Sequence, residues 1–591
     1  MTSRPAGESP DGLLSGSWSG RYIRSYIFLL PIRADTCILL RKGKQVNKTK
    51  KFLLALAALF ISLPGCVAKR YDGEALALSR EMSLDRKVGQ LIMPAVPDSR
   101  VTPAVENILR RYHPGGIILF GFNLAPGAAT ARFIGGMQEF ARSQGDIPLF
   151  ISTDQEGGRV VRMTSGVTQF PGSMAAGVCG DAGLAYRWGR ILGLELRRAG
   201  VNMNLAPVLD VNNNPRNPVI NTRSIGSNPA VVARIGAGYI RGLQDSRCIA
   251  VGKHFPGHGD TNKDSHLTLP VIRHDLKRLE RVELVPFRAA IKAGVECIMT
   301  AHISYPAILG NDDPATVSKE FLTGLLRTRY RFRGLVITDD MEMHAISRRQ
   351  DIGEAAVRSI VAGADIVLIS SYQQNIPAIF NAIKKAVISG RIPAARLDES
   401  VRRILEMKMR YGVLSYRKGK TAPGALAITD RDRKFLAEAG RVNEELSRRG
   451  ILYYGDRRLL TPPGDRRRIF ITSSPVLRAV LEEDRRNIIC AFRDLGRRAG
   501  ALKNAVVYLH VVQPDAAYIG AVGAYCASRG FGLVVVSSGN PFPVTVAGLA
   551  RAGLLSFSDT DESLRQLGRC LNGAFRPAAA SRLDLGIKSG T

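Results

Sequence analysis

Cysteine is scarce in this chain: eight residues in 591, widely spaced, with no Cys-x-x-Cys pair. That excludes a small disulfide-framed fold. Carboxylates are also few against cations, 51 Asp+Glu to 83 Lys+Arg, a net charge of +32. The basic residues run along the whole sequence and form no long basic tract with interleaved aromatics. No nucleic-acid partner is therefore expected, and the charge is left as a general attraction to anionic polymers or membrane surfaces. Apolar runs long enough for repeated membrane crossings are missing. At 45% hydrophobic and 23% charged residues, the composition is that of a globular protein, neither disordered nor collagen-like. The length suits two domains or three small ones.

One apolar run stands out near the start. Lys42 to Lys51 holds five lysines and no acid, and FLLALAALFISL (Phe52–Leu63) follows, then Pro64, Gly65 and Cys66. A basic region, a short apolar core and a small residue are the parts of an export signal. The core is shorter than the ~20 residues of a comfortable membrane span. Leu63-Pro64-Gly65-Cys66 resembles a bacterial lipoprotein box, which is cleaved before a cysteine that then carries lipid. The expected organisation is an over-extended leader at 1–45, a signal at 46–65 that would start normally if Val46 were the initiator, and a tether at 66–81. The mature protein is expected to be exported and held to the membrane of the cell envelope through Cys66.

From Met82 onward, eight short apolar runs alternate with helical patterns: Gln90–Val96, Gly116–Phe120, Pro148–Thr153, Val201–Val208, Ile249–Lys253, Cys297–Ala301, Gly334–Thr338 and Ala364–Ile369. Most are continuously apolar, as strands covered on both faces are. Helical spacing marks Leu276–Ala293 and Glu354–Ala362. Eight such units over about 330 residues predict an α/β fold, a (β/α)8 TIM barrel, with a doubly wound open sheet as the alternative. Polar residues gather at the carboxyl ends of these runs: Asp154, Asp210, Lys253 with His254, His302, and Asp339 with Asp340. A helix cap or turn explains one such residue. It explains five such positions poorly, and barrels build their sites at that end.

The loop after the fifth run, KHFPGHGDTNKDSH (Lys253–His266), holds three of the eight histidines. Pro256, Gly257 and Gly259 exclude a regular helix. One reading makes His254, His258, Asp264 and His266 metal ligands. Against it, His-x-x-x-His needs a helix to bring both rings to one face. The other reading pairs Asp264 with His266 as a dyad, since i and i+2 point the same way in an extended segment. A carboxylate partner favours the protonated ring and suits acid/base work near neutral pH. Plain turn chemistry with incidental histidines is the third.

This loop resembles the signature of glycoside hydrolase family 3, in its bacterial β-N-acetylglucosaminidase branch. STDQEGGRVVRM (Ser152–Met163), APVLDVNNNPRNPVINTRSIG (Ala206–Gly226) and VITDDMEM (Val336–Met343) are similar to its companion motifs, in the family's order, over roughly Met82 to Tyr411. The resemblance implies a retaining exo-β-N-acetylglucosaminidase acting on cell-wall fragments or related oligosaccharides, with no metal and no cofactor. It implies Asp339 as nucleophile, with Asp340 the weaker candidate. It implies His266 paired with Asp264 as acid/base, and Asp154, Arg162, Arg223, Lys253 and His254 as the residues holding the sugar. A β-glucosidase or β-xylosidase of the same family, a phosphorylase and an inactive wall-binding lipoprotein are the competing expectations.

With the barrel domain placed at 82–414, residues 415–429 read as a polar Gly/Pro-containing linker. Residues 430–591 read as a smaller α/β sandwich-like domain. Its expected strands are Arg468–Ser473, Ala505–Val512, Leu533–Ser537 and Leu554–Phe557, with a helix over Asp430–Arg448. DRKFLAEAGRVNEELSRRGILYY and VVVSSGNPFPV look like degraded versions of the family's second domain, for which a structural or wall-docking role is expected.

Mass spectrometry of the protein purified from membranes tests the anchor: the chain is expected to begin at a lipid-bearing Cys66. Cys66→Ser should yield soluble enzyme or unprocessed precursor. An intact chain from Met1 with an unmodified Cys66 contradicts both the anchor and the late start.

Overall fold

The computed structural model describes residues 71–579, apart from 127, 373, 415–428, 461–466, 500, 501, 503, 514 and 540–551. The leader, the signal, Cys66 and all of the expected linker but Thr429 lie outside the described residues.

All eight predicted runs contain strands, each shorter than or similar to its apolar run. They are β1 (Ile92–Pro94), β2 (Gly116–Ile118), β3 (Phe150–Thr153), β4 (Met203–Asn204), β5 (Ile249–Phe255), β6 (Cys297–Thr300), β7 (Leu335–Ile337) and β8 (Val367–Ile369). Every strand residue is buried. That is why the runs lack alternation: helices cover the outside and packed side chains fill the inside. Strands β2 to β7 pair in parallel in chain order, and β1 pairs with β8. Bridges Ala95–Ile118 and Ile337–Ile366 join the two sets and close the ring. The open-sheet alternative is thereby replaced by a TIM barrel.

The covering helices start where the sequence provides caps. Thr102 and Asn228 cap Pro103–Tyr112 and Pro229–Asp245, each with proline in the first turn. The helices Ala182–Arg198 and Pro229–Asp245 cross backbone to backbone. A Cβ at Gly242 would lie 2.0 Å from the Tyr186 carbonyl oxygen, and one at Gly189 2.3 Å from that of Tyr239. Only glycine allows that approach.

Some expectations need correction. Leu276–Ala293 is two helices, Leu276–Arg281 and Leu284–Lys292. The chain breaks at Val282 as Glu283 turns fully inward to accept from Arg278 Nη1 (2.7 Å) and Asn213 Nδ2 (3.0 Å). Residues 71–81, within the expected tether, are helical. Ala75 and Ser79 are buried, and Arg402 Nη1 donates to Asp72 at 2.6 Å, so packing on the barrel begins before residue 82.

Among the described residues, the carboxy-terminal part has seven strands, not four. They are β9 (Leu452–Gly455), β10 (Arg467–Ile471), β11 (Asn487–Cys490), β12 (Ala505–Val511), β13 (Gly532–Ser537), β14 (Ala552–Leu555) and β15 (Ala578–Ala579), in spatial order β11-β10-β12-β13-β14-β9-β15. Separate apolar cores, around Tyr508 and Leu567 and around Val507 and Ile519, lie on the two faces of the sheet. The expected single helix is Asp430–Ala437 and Ala439–Arg449, broken at Glu438, which accepts from Arg187 of the barrel at 3.0 Å. Met174 and Val178 of the barrel pack against Leu452, Tyr454, Leu555 and Phe557.

Beneath the barrel wall, Asp365 is fully buried just before β8. Arg327, Arg396 and Arg403 reach it at 2.5, 3.1 and 3.2 Å. Burial alone would raise its pKa, but the three guanidiniums and the Val336 amide hold it well below the usual range. A depressed carboxyl stabilises the fold above its unfolded pKa, and that contribution is lost as pH falls through the folded value. Asp365→Asn strands three clustered cations and should cost ~3–5 kcal/mol in urea unfolding near neutral pH. A loss below about 1 kcal/mol contradicts this.

Candidate active site

Strand ends at the carboxyl mouth of the barrel place the polar residues around one cavity of about 410 Å³. Its lining includes Asp154, Arg162, Arg223, Lys253, His254, His266 and Asp339. Seven of the eight residues singled out for the site from sequence therefore meet in one place. The eighth, Asp264, stands behind His266. Among the described residues, none of the cavity's lining comes from the carboxy-terminal domain.

The floor is a charge cluster on the ends of β3 and β5. Lys253 Nζ, almost fully buried, sits 2.6 Å from Asp154 Oδ1 and 2.7 Å from Glu156 Oε1. Arg223 grips Glu156 with two bonds, Nε at 2.9 Å and Nη2 at 2.8 Å. Burial would lower the Lys253 pKa, but the two carboxylates more than offset it, and the net shift is upward. Burial likewise would raise Glu156, and Arg223 and Lys253 drive it well below its usual range. Asp154 has a more distant second cation, Arg162, at 3.9 Å, whose guanidinium lies over the Phe120 ring, 5.8 Å from its centre.

A second carboxylate braces the histidine loop. Asp210, fully buried, accepts from the amides of His254 (3.1 Å) and His258 (2.7 Å) and meets His254 Nδ1 at 2.7 Å. His258 is buried, and its ring bonds Thr261 Oγ1 (3.1 Å) and Ser265 Oγ (2.9 Å). Burial pushes its pKa down to about 4, so the ring is neutral near pH 7 and ties together the two flanks of Asp264. His258 thus has both ring nitrogens committed, and His254 its Nδ1. Among the described residues, no group of three or more His, Cys, Asp or Glu side chains is arranged to hold one.

Asp264 and His266 pair, but not through extended spacing. Residues 265–267 form a turn, and Asp264 Oδ1 accepts from both the His266 amide (2.8 Å) and His266 Nδ1 (2.7 Å). The aspartate caps its own turn and thereby fixes the ring. His266 is 61% exposed at the cavity rim, with Nε2 left for a ligand.

The two adjacent aspartates after β7 differ sharply. Burial would raise Asp339, but His254, His302, the Asp340 amide and Lys253 together lower it. Asp339 Oδ1 accepts from the Asp340 amide at 2.9 Å. Asp340 is pushed up to about 6, by burial and by the nearby Glu342, against bonds from Ser370 and the Glu342 amide. Its Oδ1 accepts from the amides of Ser370 (3.0 Å) and Glu342 (3.2 Å). Asp339 therefore stays ionised to lower pH than Asp340, whose Oδ1 is committed to the turn. His302 Nε2 faces the Asp340 carbonyl oxygen at 2.9 Å and so carries its proton; burial lowers its pKa.

Sequence reasoning missed Glu156, the partner shared by Lys253 and Arg223. Its signal was the i, i+2 spacing from Asp154 in STDQEGG. Asp210 and His302 were noted only as strand-end polar residues, and His258 only as a possible ligand.

The site is thus a carboxylate of lowered pKa, an Asp–His pair and a buried charge cluster at the carboxyl mouth of a closed parallel barrel. The model of the "Glycosyl hydrolase family 3 N terminal domain" matches residues 83–407, and the chain belongs to that family. Beta-hexosaminidase A of Pseudoalteromonas piscicida is 35% identical over 335 residues, 52% of this chain. The chain spans just over half, 55%, of that relative's length. Beta-hexosaminidase LpqI of Mycobacterium tuberculosis is 35% identical over 54% of this chain and 82% of its own. The solved family 3 β-N-acetylglucosaminidase of Paenibacillus sp. str. FPU-7 superposes with a TM-score of 0.77 at 35% identity, covering 86% of this chain and all of that one.

Glu156→Gln removes the anion that fixes both Lys253 and Arg223. It should reduce kcat/KM at least about tenfold, mainly through KM, because the cations lose their positions while Asp339 remains. Unchanged KM on an aryl glycoside contradicts the role.

Proposed function

We propose that this chain is an exported, lipid-anchored, retaining exo-β-N-acetylglucosaminidase that removes terminal β-GlcNAc from cell-wall fragments or related oligosaccharides. One observation carries the reading. An aspartate kept ionised, Asp339, shares a cavity with an imidazole whose Nδ1 is fixed by a carboxylate and whose Nε2 is open. In the first step Asp339 attacks the anomeric carbon while His266 Nε2–H protonates the departing oxygen. In the second, His266 takes a proton from water, water attacks the same carbon, and Asp339 leaves. Two displacements retain configuration. Retaining glycosidases ordinarily use two carboxyl groups ~5–5.5 Å apart; here the Asp264–His266 pair takes one place. A neutral or cationic acid also avoids repulsion with an anionic muramyl substrate. Asp154, Lys253, Arg162, Arg223 and His254 offer the paired donors and acceptors that hydroxyls and an acetamide need. The names of the relatives support the hexosaminidase reading over β-glucosidase.

The test is product analysis after incubation with chitobiose and with muropeptides, with and without phosphate. Free GlcNAc of β configuration at first release is expected. GlcNAc 1-phosphate, or action on glucosides alone, contradicts it.

The two aspartates separate by mutation. Asp339→Asn should lower kcat by at least ~10³-fold with folding intact. Asp340→Asn keeps an acceptor for the two amides and should lose under about tenfold. The reverse order sinks the assignment. His266→Ala should hurt chitobiose far more than a nitrophenyl glycoside, whose leaving group needs little protonation; equal first-step losses contradict the acid role.

A further inference from the structure

A second cavity, of about 360 Å³, lies away from the catalytic mouth. It forms where the helices Ala182–Arg198 and Pro229–Asp245 end and the helix Asp430–Ala437 of the second domain begins. Five guanidiniums line it: Arg190, Arg197, Arg198, Arg247 and Arg431. Two carboxylates face them, and both are engaged. Asp432 accepts from Arg190 Nη2 (2.6 Å) and Thr429 Oγ1 (2.7 Å), and Asp245 from the Tyr186 hydroxyl (2.8 Å). Five cations less two anions leave +3.

Arg197 is the anomaly. It is only 3% exposed, and among the described residues its Nε and Nη1 have no hydrogen-bond partner; Arg190 Nε has none there either. A buried guanidinium without an acceptor costs several kcal/mol. Burial and the neighbouring Arg247 push its pKa down to about 10, which still leaves it charged near neutrality. The ends of two helices favour cations here, by ~0.3–1 kcal/mol each. That explains basic residues in the last turn, but it gives Nε and Nη1 no acceptor. The sequence running into Thr429, residues 415–428, has Arg417, Lys418 and Lys420 and no carboxylate.

We infer that this pocket at the joint between the domains binds a phosphate-class oxyanion, with Arg197 as the buried anchor and Arg198, Arg247 and Arg431 around it. Planar forks converging from three helix ends suit a multivalent tetrahedral oxyanion. An excess of three charges favours phosphate over a single carboxylate. The volume exceeds what one phosphate fills, leaving room for a diphosphate or the organic part of a phosphate ester.

The test is thermal unfolding and titration calorimetry of the whole protein with inorganic phosphate, pyrophosphate and glycerol 3-phosphate, against chloride at equal ionic strength. At least one should raise Tm by about 2 °C or more at saturation. The strongest of the three separates a free ion from an ester. Arg197→Met should abolish the shift and, in anion-free buffer, melt at or above the parent, because an unpaired buried charge is gone. Arg198→Gln, at an exposed position, should fold normally and weaken binding at least threefold, which decides the matter if Arg197→Met does not fold. Asp339→Asn should keep the full shift. No shift with any of the anions, a shift retained in Arg197→Met, a shift unchanged in Arg198→Gln, or one lost in Asp339→Asn overturns the inference.

Discussion

The carboxyl mouth of the barrel depends on a buried cation shared by two carboxylates. Lys253 Nζ bridges Asp154 and Glu156, and Glu156 in turn holds Arg223 by two bonds. None of these charges is stable alone in so dry a place. Together they leave Asp154 and Arg223 facing the cavity with defined positions. They also set the field at Asp339, where Lys253 and two histidines overcome the effect of burial. The ionisation of Asp339 and the charged floor of the cavity are thus one electrostatic arrangement, built from the ends of four strands, β3, β5, β6 and β7, and the segment after β4.

A second arrangement supports the Asp264–His266 pair. Asp210 ties the backbone at His254 and His258, and neutral His258 ties Thr261 and Ser265. The turn at Asp264 therefore hangs from the barrel by buried bonds, although His266 itself stands at the rim. Rigid support with an exposed ring suits a group that must meet both a leaving oxygen and a water. The carboxy-terminal domain supplies none of the cavity's lining among the described residues. Its contacts run along the barrel's flank, through Arg187, Arg190, Met174 and Val178.

Much of this was legible in the sequence, for identifiable reasons. Strands buried on both faces are written as unbroken apolar runs, so all eight barrel strands could be placed. Polar residues at their carboxyl ends marked the site, and seven of eight candidates line one cavity. What failed depended on three-dimensional partners. Glu156 looks like part of a glycine-rich turn until Lys253 and Arg223 are seen around it. The Asp264–His266 pair was expected from strand-like spacing, but an aspartate turn produces it. Glu283 breaks a helix whose periodicity was sound, because Arg278 and Asn213 draw it inward. In the second domain β9 and β11 are four residues each and adjoin charged turns, so their pattern was too short to separate from loop.

The central claim is that Asp339 forms a covalent bond to the sugar. The most direct measurement is mass spectrometry of peptides after reaction with a fluorinated N-acetylglucosaminyl fluoride that slows the second step. The account predicts one added glycosyl residue on the peptide containing VITDDMEM, located at Asp339 by fragmentation. Label on Asp340, or inactivation with no covalent adduct, would contradict it.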